Sequence, residues 1–238
     1  MRTTVVGSGD AFGSGGRFQT CIALDRHTLI DCGGTSLTAL RQQGFDPNAI
    51  TTVVISHLHA DHFGGLPFLI LDGQFRRRTS DLTVIGPPST GSRLAEAMEV
   101  SFPGSSTVRR RFEVRVVEHV EATTQHIGSL AVTPYEVRHA AGAPAYALRV
   151  DDGESHRSVA YSGDTEWTDA LIEASDGADV FLCEGYTPRP VRWHLDLDTL
   201  AANRHRLTCE RLVLTHLSPT ALAADLSAWQ IAHDGLVL

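Results

Sequence analysis

The stretch Ser56-His57-Leu58-His59-Ala60-Asp61-His62 directly follows the β-branched run Thr52 to Ile55. Three histidines and one aspartate fall within six residues. Neutral imidazole and carboxylate are the ligands that zinc and similar divalent ions prefer. Alternate residues leaving a strand point the same way, so His57 and His59 can share one ion. Asp61 and His62, in the turn that follows, can face a second. Four residues cannot close two sites, so other ligands must come from afar.

The same grammar recurs downstream. The apolar run Ser158 to Tyr161 ends in Ser162-Gly163-Asp164, Leu212 to Leu214 ends in Thr215-His216, and His139 follows a strand ending at Val137-Arg138. In each case a polar residue leaves the carboxyl end of a buried strand, where layered α/β folds place their sites. Taken alone, Asp164 would be the N-cap of a helix starting near Glu166. His139 and His216 alone would be ordinary surface histidines. The cluster at 57–62 makes ligands of all three.

Around these residues the patterning predicts strands over 3–6, 52–55, 83–85, 112–117, 130–137, 146–150, 158–161, 180–183 and 212–214. Cys21 to Leu24 and Thr28 to Ile30 form a hairpin about Asp25-Arg26-His27. Helices are predicted over 35–43, 66–75, 92–100, 166–174, 198–207 and 219–229. With no linker and no low-complexity segment, two β-rich halves pack together in one domain, residues 1–238, with helices outside. The Gly-rich stretch from Gly7 to Gly13 is not a dinucleotide loop. Its spacing is G-x-G-x-x-x-G and a strand follows it, where the fingerprint needs a helix.

Composition sets the outer bounds. The chain is 42% hydrophobic with ordinary mixed charge, which excludes a disordered tail. All 20 basic residues are Arg, so neither a lysine Schiff base nor a Walker A lysine is available. The net charge of -8 argues against a large nucleic-acid footprint. Cys21, Cys32, Cys183 and Cys209 form no C-x-x-C pair and read as buried thiols of a reducing compartment. No signal pattern and no long apolar run is present, so the expectation is a cytoplasmic protein. Two Arg triplets, at 76–78 and 109–111, read as solvated loop charge, with a local anion patch as the alternative.

The chain resembles the metallo-β-lactamase-fold hydrolases over nearly its whole length. Their H-x-H-x-D-H motif stands here as His57, His59, Asp61 and His62, and their later single ligands match His139, Asp164 and His216. The resemblance implies an αββα four-layer sandwich of the α/β class. It also implies two divalent metal ions, zinc first, with manganese or iron as alternatives. One ion would take His57, His59 and His139, and the other Asp61, His62 and His216, with Asp164 bridging. His59 stands where the di-iron redox members carry a carboxylate, which favours hydrolysis.

Within that superfamily the chain is most similar to ribonuclease Z and related phosphodiesterases. The resemblance rests on Gly7-Ser8-Gly9-Asp10-Ala11, on Gln19-Thr20-Cys21, and on the pair Glu184 and His194. It implies that His194, steadied by Glu184, protonates the leaving group while Asp61 helps orient a hydroxide nucleophile bridging the metals. It also implies a homodimer. The transfer-RNA-gripping arm of ribonuclease Z is absent, since His139 and Asp164 lie only about 25 positions apart, room for two strands and a turn. The expected substrate is therefore a small phosphodiester. A lactone or thioester hydrolase on the same scaffold is the alternative, and a non-catalytic metal-binding module is the alternative of another class.

Overall fold

A computed structural model describes residues 1–238. Six strands build most of a first sheet: β1 (Thr3–Gly7), β2 (Cys21–Leu24), β3 (Thr28–Ile30), β4 (Thr52–Val54), β5 (Leu82–Gly86) and β6 (Val114–Glu118). A second sheet holds β7 (Gln125–Ile127), β8 (Leu130–Val137), β9 (Ala145–Asp152), β10 (Arg157–Tyr161), β11 (Val180–Glu184), β12 (Arg211–Thr215) and β13 (Gln230–Ile231). The last strand, β14 (Leu236–Val237), returns to the first sheet and pairs antiparallel with β1. Each sheet thus has seven strands, ordered β14-β1-β2-β3-β4-β5-β6 and β13-β12-β11-β10-β9-β8-β7.

The helices are α1 (Ser36–Gln42), α2 (Ala60–Phe63), α3 (Leu66–Phe75), α4 (Thr90–Ser101), α5 (Ala170–Ser175), α6 (Leu197–Asn203) and α7 (Pro219–Leu222). Period-2 alternation along the strands explains how the layers stack. Val54, Ile85, Val159, Tyr161, Leu182 and Val213 face the core between the sheets. Their neighbours Val53 and Val84 face α1, α3 and α4 on one outer side. Ala160, Phe181, Leu212 and Leu214 face α5, α6 and α7 on the other. Three apolar layers between four structural ones give the αββα sandwich, an α/β fold.

Strand direction then places the site. β3 to β6 run parallel, as do β10, β11 and β12, while β8 reaches the same direction through antiparallel β9. The segments that follow β4, β8, β10, β11 and β12 therefore leave the sandwich on one edge. Residues 140–163, between the third histidine and Asp164, hold only β9, a turn and β10.

The structure corrects several sequence expectations. The helix expected over 166–174 begins only at Ala170, so Asp164 caps nothing. The residues before it are pinned into the site, with the Thr165 N–H on Glu184 Oε2 at 2.9 Å and the Glu166 N–H on the Arg138 carbonyl at 3.1 Å. The last helix stops at Leu222 instead of Trp229, because Trp229 and Ile231 pack onto the second sheet's outer core. Asp61 and His62 lie on the one-turn helix α2 instead of a turn. Arg78 is not a solvated charge. It is 3% exposed, and its guanidinium donates to the carbonyls of Ser80, Asp81, Pro47 and Ile50. All four cysteines are buried free thiols.

Candidate metal centre

The loop after β4 carries the motif. Ser56, His57 and Leu58 leave the strand buried, and His59 caps α2, which presents Asp61 and His62. This turn sits tightly on the loop after β3: the Cys32 N–H donates to the His62 carbonyl at 2.6 Å, and the Gly65 N–H to the Cys32 carbonyl at 2.8 Å. Gly33 permits the approach, since a Cβ there would lie 2.1 Å from the Asp61 carbonyl oxygen.

All seven sequence-derived candidate ligands converge. The nitrogens of His57, His59 and His139 form one group whose atoms lie within 4.8 Å of one another, and the ligating atoms of Asp61, His62, Asp164 and His216 form a second. His139 Nε2 lies 3.1 Å from His59 Nδ1. Asp164 stands between the groups. Its Oδ1 is 3.3 Å from His62 Nε2, and its Oδ2 is 3.3 Å from His216 Nε2, 3.9 Å from His57 Nε2 and 4.0 Å from His139 Nε2. Gly163, at φ +59, makes the turn that delivers it.

The donor set fits divalent cations on independent grounds. His57 Nε2, His62 Nε2 and Asp164 Oδ1 are buried and have no hydrogen-bond partner. Such atoms are costly unless something else meets them. Burial, with His62 nearby, holds the His57 imidazole well below its ordinary pKa, which keeps it a neutral ligand. Burial likewise lowers His139 and His216. At His62 burial is overcome by Asp164, Asp31 and Asp61, which push its pKa well up. Three carboxylates round one imidazole are an excess of negative charge that a bound dication would neutralise.

The outward nitrogens of four ligands are held by partners that sequence reading did not identify. His62 Nδ1 donates to Asp31 Oδ2 at 2.7 Å, His139 Nδ1 donates to the Trp193 carbonyl at 2.7 Å, His57 Nδ1 lies 3.1 Å from Ser56 Oγ, and His216 Nδ1 lies 3.2 Å from Thr20 Oγ1. Fixing Nδ1 aims Nε2 at the centre and sets the tautomer. Asp31 is fully buried and also accepts from the Ser56 N–H and Oγ, both at 2.8 Å. Its only sequence signal is its place after the strand Thr28–Ile30, the rule that located Asp164.

Glu184 and His194 stand beside this cluster. His194 Nδ1 donates to Glu184 Oε1 at 2.5 Å and lies 3.8 Å from Asp164 Oδ2. The second oxygen of Glu184 accepts from the Thr165 and Leu195 N–H groups. Burial and the Asp164 charge push the Glu184 carboxyl up to about 7, against the pull of His194. His194 is partly buried, which opposes its charge, but the bond to Glu184 raises its pKa. The remaining histidines are scattered. His119 is buried with Nε2 on the Ile55 carbonyl at 3.0 Å, while His27, His126, His156, His205 and His233 are exposed.

Two seven-stranded sheets between helical layers, with a histidine–aspartate cluster on one edge, define a metallo-β-lactamase-fold protein. Residues 1–231 match the family described as anti-Pycsar protein Apyc1, and the chain belongs to that family. It is 32% identical over 249 residues to the uncharacterized protein Rv1339 of Mycobacterium tuberculosis, covering 100% of this chain and 88% of the relative. The short form of human tRNase Z superposes with a TM-score of 0.77 at 22% identity, covering 100% of this chain and 98% of that one. A diphosphatase of the PhnP family superposes with a TM-score of 0.76 at 21% identity, covering 100% and 96%. No helix is long and apolar enough to cross a membrane.

Proposed function

We propose that the protein is a dinuclear metal-dependent phosphodiesterase acting on a small phosphodiester. The observation that carries this reading is the Glu184–His194 pair beside the seven-residue ligand cluster. Bound dications would supply Lewis-acid charge and a nucleophilic water at neutral pH. His57, His59 and His139 would hold one ion, and Asp61, His62 and His216 the other. Asp164 would bridge them. Zinc suits this nitrogen-rich set, and manganese and iron use the same ligand types.

The chain's own residues do the rest. Asp61 accepts a hydrogen bond from, and so orients, the attacking water. His194 Nδ1 is occupied by Glu184, so Nε2 is the atom free to deliver a proton to the leaving oxygen. A phosphodiester leaving group departs as an alkoxide, so it gains more from this proton than an activated carbonyl ester does. That asymmetry separates the reading from thioester hydrolysis, whose leaving group is a thiolate; a lactone also expels an alkoxide, and a substrate panel separates it. The names of the structural relatives, a tRNase and a diphosphatase, also point to phosphoryl chemistry. With only β9 and β10 between His139 and Asp164, and a net charge of -8, a small diester suits the site better than a large nucleic acid. A single domain that pairs as a homodimer completes the reading, and light scattering on the purified protein checks it.

The direct test is hydrolysis of bis(p-nitrophenyl) phosphate by zinc- or manganese-loaded protein, beside an Asp164→Ala control and a lactone and thioester panel. Metal-dependent diester turnover that the control lacks is expected. Lactone or thioester cleavage without diester turnover overturns the reading.

A further inference from the structure

We infer that Tyr186 is a positioning residue that fixes the ring plane of His194 and its spacing from His216. This rests on the reading of His194 as the proton donor. His194 has a single side-chain hydrogen bond, from Nδ1 to Glu184. One hydrogen bond fixes a point and leaves the ring plane free, and the χ2 torsion of histidine is broad. A rotated ring would carry Nε2 away from the leaving oxygen.

The Tyr186 ring supplies the missing constraint. It stacks on His194 with centroids 4.2 Å apart and planes at 26°. The edge of His139 closes the arrangement at 5.0 Å and 68°. Tyr186 also lies 5.9 Å from His216, while His194 and His216 are nearly coplanar in orientation, 12° apart at 6.2 Å. The three rings form a triangle with the tyrosine as its spacer.

The backbone makes that spacer rigid. The Tyr186 N–H donates to the Leu195 carbonyl at 2.8 Å, and its own carbonyl accepts from the Ser218 N–H at 3.0 Å. One residue therefore ties the segment carrying His194 to the segment carrying His216. The hydroxyl makes no hydrogen bond within the protein, so the ring, not the oxygen, carries the contact.

The experiment compares Tyr186→Leu, Tyr186→Phe and His194→Ala on aryl phosphodiesters of graded leaving-group pKa, with metal-loaded protein. Loss of proton donation steepens the dependence of kcat on leaving-group pKa. The leucine variant is expected to steepen it, losing about tenfold on the poorest leaving group and little on nitrophenolate. The phenylalanine variant is expected to restore the wild-type slope. An equal loss on all leaving groups in Tyr186→Leu, or a Phe variant as impaired as Leu, overturns the proposal. If His194→Ala itself leaves the slope unchanged, the donor reading fails first and the proposal falls with it. A second measurement needs no turnover. In wild-type protein the His194 ring protons should be shifted upfield by the Tyr186 ring current, and the absence of that shift overturns the stacking directly.

Discussion

His139 donates from Nδ1 to the carbonyl of Trp193 at 2.7 Å, and Trp193 holds that carbonyl in place with a left-handed backbone, φ +73. Its N–H is anchored on Glu166 Oε1 at 2.9 Å. A bulky residue in this conformation is strained, and the strain persists because partners on both sides over-determine it. The same residue precedes His194, so one backbone turn sets a candidate metal ligand and a candidate proton donor together.

Trp193→Gly should keep the turn, since glycine adopts this conformation freely. Trp193→Pro should break it, because proline fixes φ near −65° and has no N–H for Glu166. The expected outcome is near-wild-type metal affinity for the glycine variant and a loss on the order of 10- to 100-fold for the proline variant. Chelator competition measures both.

Asp31 should matter to the fold as much as to the metal. It is buried, and it satisfies a backbone N–H, a hydroxyl and His62 Nδ1 at once. Asp31→Ala takes the carboxylate from all three, leaves the buried Ser56 N–H with no partner, and should destabilise the protein by about 3 kcal/mol. Urea denaturation of metal-free wild type and variant checks this. Metal content after dialysis should fall as well.

The Glu184–His194 pair predicts a pH profile. Glu184 raises the His194 pKa, so the protonated ring persists to higher pH than an ordinary imidazole. For poor leaving groups, kcat should fall as pH rises through that raised value. Glu184→Gln removes the charge that raises it, so the falling limb should move to lower pH. A pH–kcat profile of both proteins that showed no such movement would deny the pair its role.

Chelation should remove two equivalents of metal and abolish turnover while leaving the far-ultraviolet circular dichroism unchanged. The three apolar layers include none of the candidate ligands. The melting temperature should nevertheless drop, because an ion at 100 to 1,000 times its Kd stabilises the native state by about 3–4 kcal/mol. Calorimetry with and without chelator measures the difference.

The candidate ligands were legible in sequence because each is a polar residue set where a buried apolar strand ends. His139, Asp164 and His216 obey that rule as plainly as the dense cluster at His57 does. The groups that orient them were not legible. Asp31, Thr20 and the Trp193 carbonyl act across 31, 196 and 54 positions; Asp31 stands at a strand end, but no spacing ties any of the three to its histidine. Most strands and helices α1, α3 and α4 were readable from periodicity. Two-residue β13 and β14 and three-residue β7 were too short to show a period. The helix expected near Glu166 failed because Thr165 and Glu166 spend their polar groups on the site, a tertiary demand that outweighs local propensity.

The far end of the chain has a part in this as well. Asp234 accepts from the N–H and hydroxyl of Ser8 and from the Phe18 N–H, while the Ser8 carbonyl accepts from the His216 N–H at 3.1 Å. The loop beside the last candidate ligand is thus stitched to Asp234, downstream of every candidate ligand. On the ribosome, the first motif emerges long before its partners exist. A nascent chain can display His57, His59, Asp61 and His62 early, yet the surroundings of the second ligand group wait for His216 and for Asp234. The order of the strands thus sets the first motif well ahead of the residues that complete its surroundings.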